Sequence, residues 1–292
     1  ADVFLARQRS VGDRKVALKV LGRPYLQLRE ADFRRAAHAL LREASLLGQM
    51  HAPCFVSVHW TSALPDGRPY VVLEYVEGDT VAARIQGKAA IPFDVALDIC
   101  MQLASGLEEL HEAGYVHRDV TPANVIVGTG PLGDVAIKMI DFGTVTRVSE
   151  RADRFRVGYD LEHPLGTIAY MAPEQARGDV VDGRADQFAL ASVLFEMLVG
   201  HRASDINAPT QRAMLEFLRS DAALPATPWK TESDVPAAIG AVVVRALSRQ
   251  PDARYASVRT FADALRDAAT GARPRGRERS LLGRLLGERG PR

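Results

Sequence analysis

Three polar side chains at fixed spacing within residues 117–143 carry functional groups suited to chemistry on phosphate oxygens. Asp119 ends a His-Arg-Asp triplet, Asn124 follows five residues later, and Asp141 begins an Asp-Phe-Gly triplet. Phosphoryl transfer needs a carboxylate that receives the proton of the attacking hydroxyl, with an amide and a carboxylate that hold Mg²⁺ on the phosphates. Each triplet alone is common, but the two together, 22 residues apart from Asp119 to Asp141, predict that chemistry.

The same spacing resembles the catalytic loop and the metal-binding triplet of protein kinases, and the resemblance covers about 270 residues. It implies that ATP donates the phosphoryl group and that Asp119 orients and deprotonates the acceptor hydroxyl. It also implies that Asn124 and Asp141 bind Mg²⁺, with Mn²⁺ as an alternative ion. We expect His117 to pack near Phe142 and to bond the backbone rather than act as an acid or base.

Lys19 ends a Val-Ala-Leu-Lys run that resembles the third strand of a kinase small lobe. In that family the lysine neutralises the α- and β-phosphates and is held by a carboxylate. Glu43 is the predicted partner, because it lies eight residues before a His-Ala-Pro segment that resembles the turn after the kinase αC helix. Glu30 is a weaker candidate, since it is too near the start of the helix. The alternative for Glu43 is a solvated helix face.

The adenine site is predicted at residues 73–78, which resemble the hinge between kinase lobes. The resemblance implies that main-chain atoms of Glu74 and Val76 hold the base, and that Leu73 limits the depth of the pocket. Apolar surfaces above and below the ring are expected from Val3, Ala17 and Ile126. Each of these three residues alone would be taken for ordinary core.

Two positions depart from the kinase pattern. The phosphate-covering loop of kinases is G-x-G-x-x-G-x-V, and aligning its last position with Val3 places Ala1 at the third glycine. The first two glycines and the first strand are therefore missing, so we expect weaker ATP binding. Thr121 stands where most Ser/Thr kinases carry a lysine that contacts the γ-phosphate. We expect this change to cost on the order of a few kcal/mol of transition-state stabilisation unless it is compensated.

Residues 166–174, Gly-Thr-Ile-Ala-Tyr-Met-Ala-Pro-Glu, resemble the end of a kinase activation segment. Small-molecule kinases lack this peptide-docking element, so protein substrates with Ser or Thr acceptors are predicted, and Thr167 is expected to contact Asp119. Glu174 needs a buried cationic partner, which Arg254 matches. Asp186 is expected to cap the backbone of the catalytic loop, or else to be an ordinary carboxylate at a helix start.

Autophosphorylation is expected between Asp141 and Glu174, where phosphate can pair with Arg118 and order the segment. A homodimer that phosphorylates itself in trans is a predicted partner arrangement. The sequence leaves the modified residue open among the hydroxyl side chains Thr144, Thr146, Ser149, Tyr159 and Thr167.

The elements that must position these side chains follow from the spacing of apolar residues. Short β-prone runs predict strands at 3–6, 16–20, 56–60 and 70–74. The helix predicted at 185–199 is apolar almost all round, which indicates a buried position. The other helices are predicted at 30–49, 94–112, 210–219, 236–248 and 257–269.

A small sheet-rich lobe followed by a larger helical lobe is the protein kinase plan, so the predicted fold class is α+β and bilobed. We predict a kinase domain at 1–270, with a β-rich N-lobe at 1–75 that lacks its first strand and a helical C-lobe at 76–270. Residues 271–292 form a basic Arg/Leu tail with seven arginines and two glutamates. It is interpreted as a solvated linker, or as a segment that docks to a partner or an anionic membrane surface.

Composition narrows the classes of function. The chain has 292 residues, 47% hydrophobic and 25% charged, as in ordinary globular proteins. A net charge of +1 gives no reason to expect nucleic acid. We expect no membrane-spanning segment and no signal peptide, because no apolar run of about 18 residues occurs. Cys54 and Cys100 lack metal-ligand spacing and favour a cytoplasmic setting, for this chain or as the cytosolic part of a longer protein.

The sequence therefore predicts a serine/threonine protein kinase of the bacterial, eukaryotic-like (Hanks) type that uses Mg·ATP. One alternative is a pseudokinase, a nucleotide-binding scaffold with little turnover, which Ala1 and Thr121 favour. Another is a small-molecule phosphotransferase, which the Ala-Pro-Glu of the activation segment disfavours. The full set of catalytic side chains opposes the pseudokinase: Lys19, Glu43, Asp119, Asn124 and Asp141.

Overall fold

The computed structural model of this chain describes the stretches 1–86, 90–148, 168–204, 210–220, 222 and 235–272. Several predicted features lie outside the described residues. They are the contact of Thr167 with Asp119, the modification candidates Ser149 and Tyr159, and the basic tail from residue 273 onward.

The first part of the chain forms a four-stranded antiparallel sheet in the order β1-β2-β4-β3. Val3 lies opposite Lys19 on neighbouring strands, and Ala17 lies opposite Leu73. Directly opposed residues point to the same face of a sheet, so these four side chains share one face. The strands are β1 (Asp2–Gln8), β2 (Arg14–Val20), β3 (Val58–Ala63) and β4 (Pro69–Glu74).

One helix, α1 (Glu30–Leu47), packs against this sheet. Its second half supplies the buried residues, among them Leu40, Ala44 and Leu47 at helical spacing. Glu43 lies on the same buried side and is only 9% exposed. A buried carboxylate needs a partner, so the packing of this helix already requires a cation nearby.

The larger part of the molecule is helical and surrounds one central helix, α5. Thirteen residues of α5 are buried between Ala185 and Leu198, because its sequence is apolar on nearly every side. Both α3 and α8 pack against it. The helices are α2 (Val81–Ile85), α3 (Phe93–Glu112), α4 (Pro173–Arg177), α5 (Gly183–Val199), α6 (Gln211–Arg219), α7 (Ala237–Ala246) and α8 (Val258–Ala272).

Short strands carry the segments between the two parts. The strands β5, β7 and β8 form a three-stranded sheet, and β6 pairs with β9. This arrangement brings the segment after Asp141 back beside the chain that precedes Asp119. The strands are β5 (Asp79–Thr80), β6 (Tyr115–Val116), β7 (Val125–Thr129), β8 (Val135–Met139) and β9 (Thr146–Arg147).

Residues 51–56 connect α1 to β3 and run along the larger lobe. The carboxylate of Glu109, on α3, accepts hydrogen bonds from the backbone N–H groups of His51 and Ala52, both at 2.6 Å. The N–H of Met139, on β8, donates to a carbonyl of the same segment at 2.7 Å. These bonds fix the end of α1 relative to the helical lobe.

The observed architecture confirms the predicted α+β, bilobed fold class. The predicted helices and strands are all present, with ends that differ by at most three residues. Pro65-Asp66-Gly67 lies in the turn between β3 and β4, in which Gly67 has a φ of +84° that favours glycine. The domain boundaries at 75 and 270 stay predictions. Cys54 and Cys100 are buried free thiols.

Candidate active site

A cavity of about 680 Å³ lies between the four-stranded sheet, α1 and the β7–β8 hairpin. The side chains predicted for ATP and metal binding come from six separate segments of the sequence, yet all of them line this one cavity. Val3 remains 63% exposed on the edge strand β1, whereas Leu73 at the back is buried. The predicted residues that line the cavity are Val3, Ala17, Lys19, Glu43, Leu73, Glu74, Val76, Asn124, Ile126 and Asp141.

Lys19 joins the two lobes at the floor of this cavity. Its Nζ lies 2.6 and 2.9 Å from the two carboxylate oxygens of Glu43, and 3.1 Å from Oδ1 of Asp141. Burial alone lowers the pKa of Lys19, but the two carboxylates outweigh burial and raise it above 10.5, so the lysine is charged. Glu30 instead pairs with Arg34 on the exposed side of α1.

Glu43 also reaches the Asp-Phe-Gly triplet. One of its oxygens accepts a hydrogen bond from the backbone N–H of Phe142 at 3.1 Å. The helix α1, the strand that bears Lys19 and the segment that bears Asp141 therefore meet at one carboxylate. A shift of α1 would break all of these contacts together.

Asp141 presents a charged carboxylate to the cavity. Its side chain is 47% exposed, and its Oδ1 accepts hydrogen bonds from Lys19 and from the N–H of Gly143, each at 3.1 Å. Burial raises the pKa of Asp141, but the charge of Lys19 and the Gly143 N–H together hold it below 3.8. The carboxylate is therefore ionised at neutral pH, as a metal ligand must be.

Asp119 lies beside the cavity and is joined to it by Asn124. The amide nitrogen of Asn124 donates to the Asp119 carboxylate at 2.9 Å and to the Asp119 carbonyl at 3.0 Å. Because both N–H bonds point toward Asp119, the amide oxygen of Asn124 is the atom that remains for a cation. The oxygens of Asn124 and Asp141 are the hard ligands that Mg²⁺ prefers, so this donor set fits such an ion.

The backbone of the catalytic loop is held by Asp186, which is fully buried at the start of α5. Its two oxygens accept the N–H groups of His117 and Arg118 at 2.8 and 2.7 Å, as expected from the sequence. The ring of His111, on α3, adds a third bond at 2.7 Å. Burial raises the pKa of Asp186, but these bonds and the nearby His111 and His117 rings lower it below 3.8.

His117 packs against Phe142 with ring centroids 5.0 Å apart, and Phe55 contacts the other side of Phe142 at 4.9 Å. All three rings are buried. The predicted packing role of His117 is therefore present. The hydroxyl of Thr144 donates to the His117 carbonyl at 2.8 Å, which ties the segment after Asp141 to the catalytic loop.

Several residues of the site were missed from the sequence. Tyr25, Ala36 and Leu40 extend the cavity past the Lys19–Glu43 pair, and Ile140 lines it beside Ile126. Helical spacing from Glu43 would have placed Ala36 and Leu40 on the same face. Tyr25 has no such indication, because it lies in a short 3₁₀ helix (Arg23–Gln27) between β2 and α1.

Lys138 is another missed residue. Its Nζ lies 2.7 Å from Oε1 of Glu74, in the predicted hinge, and donates to the Phe55 carbonyl at 2.9 Å. Burial raises the pKa of Glu74, but Lys138 and Ser57 together hold it below 4.5. The chain has only five lysines, but that scarcity alone gave Lys138 no role.

Comparison with known proteins places these features in a family. The sequence model of the protein kinase domain matches residues 1–266 of this chain. The chain belongs to the protein kinase family. Use of ATP and of a divalent metal ion comes with that family in general. Among the described residues, no helix has both the length and the apolar character needed to cross a membrane.

The chain is similar to bacterial serine/threonine-protein kinases. It is 33% identical over 261 residues to PknB of Mycolicibacterium smegmatis, covering 87% of this chain and 39% of that protein. PknB of Mycobacterium tuberculosis is 31% identical over 261 residues, with 87% and 38% covered. A probable serine/threonine-protein kinase of Clostridium acetobutylicum is 31% identical over 254 residues, with 87% and 36% covered.

These relatives confirm the predicted bacterial, Hanks-type family. The chain spans less than two fifths of the length of the curated relatives named here.

Proposed function

We propose that this chain is a serine/threonine protein kinase that transfers the γ-phosphoryl group of ATP to Ser and Thr hydroxyls of proteins. The observation that carries the proposal is the contact of Lys19 with both Glu43 and Asp141, at 2.6 and 3.1 Å. It holds a cation and an ionised metal ligand on one wall of a cavity large enough for a nucleotide. The names and extent of the bacterial relatives support the same activity.

Each catalytic side chain has a role in this proposal. The Lys19 ammonium binds the α- and β-phosphate oxygens, and Glu43 keeps that ammonium over the cavity. Asn124 and Asp141 hold Mg²⁺, with Mn²⁺ as an alternative. When bound, the ion neutralises charge on the phosphates. Asp119 orients the acceptor hydroxyl and accepts its proton.

The base binds between apolar surfaces. Val3 and Ala17 lie on the sheet side of the cavity and Ile126 on the opposite wall. Leu73, buried at the back, limits the depth. Main-chain atoms of Glu74 and Val76 hold the edge of the base.

Thr121 is the point at which the proposal departs from most Ser/Thr kinases. It is buried and precedes a turn of helix at residues 122–124. Because its hydroxyl is neutral, it brings no charge to the site. Lys19 and the metal ligands then provide the charge that stabilises the transferring group. We propose that phosphoryl transfer is slower as a consequence but still measurable.

A pseudokinase is the second candidate considered, and the hydrogen bonding of Asp119 argues against it. A scaffold that only binds nucleotide does not need Asp119, yet Asn124 donates to its carboxylate at 2.9 Å.

The predicted cytoplasmic setting and a homodimer that phosphorylates itself in trans also belong to the kinase proposal. Residues 168–172, which precede α4, are buried and belong to the stretch that resembles the peptide-docking element of kinases. This supports protein substrates.

The test is transfer from γ-labelled ATP to the chain itself and to an added basic protein, with Mg²⁺, with Mn²⁺ and with chelator. Asp119→Asn and Asp141→Asn are compared with the parent and with Asp267→Asn, an exposed aspartate on α8. We expect incorporation of label with the parent and with the control variant only. With chelator, no protein should incorporate label. Equal label in all four proteins would refute the kinase proposal.

A further inference from the structure

Gln175, on α4, joins two segments of the active site through a single side-chain amide. Its Nε2 donates to the Arg118 carbonyl at 3.1 Å, and its Oε1 accepts the N–H of Ala172 at 3.1 Å. The chemistry of the partners fixes the orientation of the amide, because a carbonyl needs a donor and an N–H needs an acceptor. Both the nitrogen and the oxygen of the amide therefore have a backbone partner.

The acceptor lies at an unusual point of the backbone. Arg118 has a φ of +70°, in the left-handed region that non-glycine residues seldom adopt. Such a conformation is strained and persists only where the surroundings hold it. Asp186 holds the N–H of Arg118 and Gln175 holds its carbonyl, so both backbone polar groups of the residue before Asp119 are fixed.

The other end of the bridge is equally fixed. Ala172 ends the buried segment 168–172, in which the Ala169 carbonyl accepts a hydrogen bond from Ser204 at 2.7 Å. Tyr170 is bonded to Glu196 of α5. Gln175 thus connects this rigid segment to the residue directly before Asp119.

The bond from Gln175 to the Ala172 N–H caps the start of α4, but other contacts also hold this helix in place. Glu174 is held by Arg254 through bonds of 2.6 and 2.8 Å, and the Ala176 carbonyl accepts a bond from Arg219 at 2.7 Å. The role of Gln175 can therefore be separated from the packing of the helix that carries it.

We propose that Gln175 is a positioning residue for phosphoryl transfer. It clamps the Arg118–Asp119 peptide unit to the segment 168–172, so that the carboxylate of Asp119 faces the hydroxyl of a docked protein substrate. This inference rests on the proposed kinase function. Gln175 acts through the backbone and does not touch the substrate.

The test uses the full chain with Gln175→Glu and Gln175→Ala. The glutamate keeps the size and the acceptor for Ala172, but its carboxylate places an oxygen against the Arg118 carbonyl. A tenfold loss in rate corresponds to about 1.4 kcal/mol, near the upper end of what one such bond contributes. We expect kcat to fall tenfold or more in both variants, while KM for ATP stays within about twofold and Tm changes little. Gln49→Glu is the matched control, because Gln49 donates to the Ser45 carbonyl at 3.1 Å far from the site.

Hydrogen exchange at residues 117–120 is measured on the same proteins. We expect faster exchange there in both Gln175 variants and unchanged exchange in α4. Parent-like kcat in Gln175→Glu, or a loss of kcat that tracks a lowered Tm and recovers at low temperature, overturns the inference. If the parent itself transfers no phosphate, the proposed function fails. Unchanged exchange at 117–120 would then refute the clamp separately.

Discussion

Arg254 donates two hydrogen bonds to Glu174, 80 residues earlier in the sequence, at 2.6 and 2.8 Å. The two side chains are 0% and 5% exposed, so the ion pair is inside the protein. Arg254 also donates to the Arg184 carbonyl at 2.8 Å, at the start of α5. One guanidinium thus connects the helix after the activation segment, the central helix and the turn before α8.

Removal of this cation should be strongly destabilising. Arg254→Met leaves the Glu174 carboxylate buried without its partner, which costs about 3–5 kcal/mol of the free energy of unfolding. Urea denaturation measures the difference from the parent. The double variant Glu174→Gln with Arg254→Met should lose less stability than the single variant, because no unpaired charge remains buried. A single variant within about 1 kcal/mol of the parent would contradict this account.

Asp186 makes stability depend on pH in a defined direction. The folded protein holds its pKa below 3.8, so its contribution is present above that value and is lost as pH falls through the folded pKa. Asp186→Asn should therefore cost about 1.5–3 kcal/mol at pH 7. The difference in free energy of unfolding between the parent and this variant should narrow as the pH falls below 4. Denaturation curves at pH 7, 5 and 3.5 measure that difference. A difference that widens toward pH 3.5 would be evidence against the assignment.

Glu43 should affect catalysis more than folding. In Glu43→Gln the ammonium of Lys19 keeps only one ionic partner, Asp141, which is also needed as a metal ligand. We expect kcat/KM for phosphoryl transfer to fall tenfold or more, and Lys19→Met to fall further. Steady-state kinetics with ATP measure both variants, beside Glu30→Gln as the matched control on the exposed side of α1. Parent-like kcat/KM in Glu43→Gln would contradict the role of the ion pair.

Much of the fold and site was predictable because spacing along the chain carries that information. Glu43 was selected over Glu30 because it lies eight residues before a segment that resembles the turn after the kinase αC helix, whereas Glu30 is too near the helix start. The triplets that contain Asp119 and Asp141 resemble those of kinases, so their side chains could be assigned to one site from the sequence. Arg254 was predicted because a buried Glu174 needs a cation, and Asp186 was predicted to cap the catalytic loop or else to be an ordinary carboxylate at a helix start.

Three polar contacts that were missed share a physical feature. Gln175, Thr144 and Lys138 each donate to a backbone carbonyl that is distant in sequence: Arg118, His117 and Phe55 respectively. Every residue has a carbonyl, so neither residue type nor spacing shows which one a side chain will meet. Only the packed structure determines that choice.

Gly106 lies in the middle of α3, where this helix packs against residues 51–56. A substitution at this position tests how close that packing is. An added Cβ would lie 2.2 Å from the Cys54 sulfur and 2.9 Å from the Phe55 ring. Alanine is favoured over glycine in an open helix by about 1 kcal/mol, but this clash should reverse the sign. We expect Gly106→Ala to lower the free energy of unfolding by about 1–3 kcal/mol in urea. Adding Cys54→Ala should recover part of the loss, and a single variant more stable than the parent would show that α3 and this segment are not in close contact.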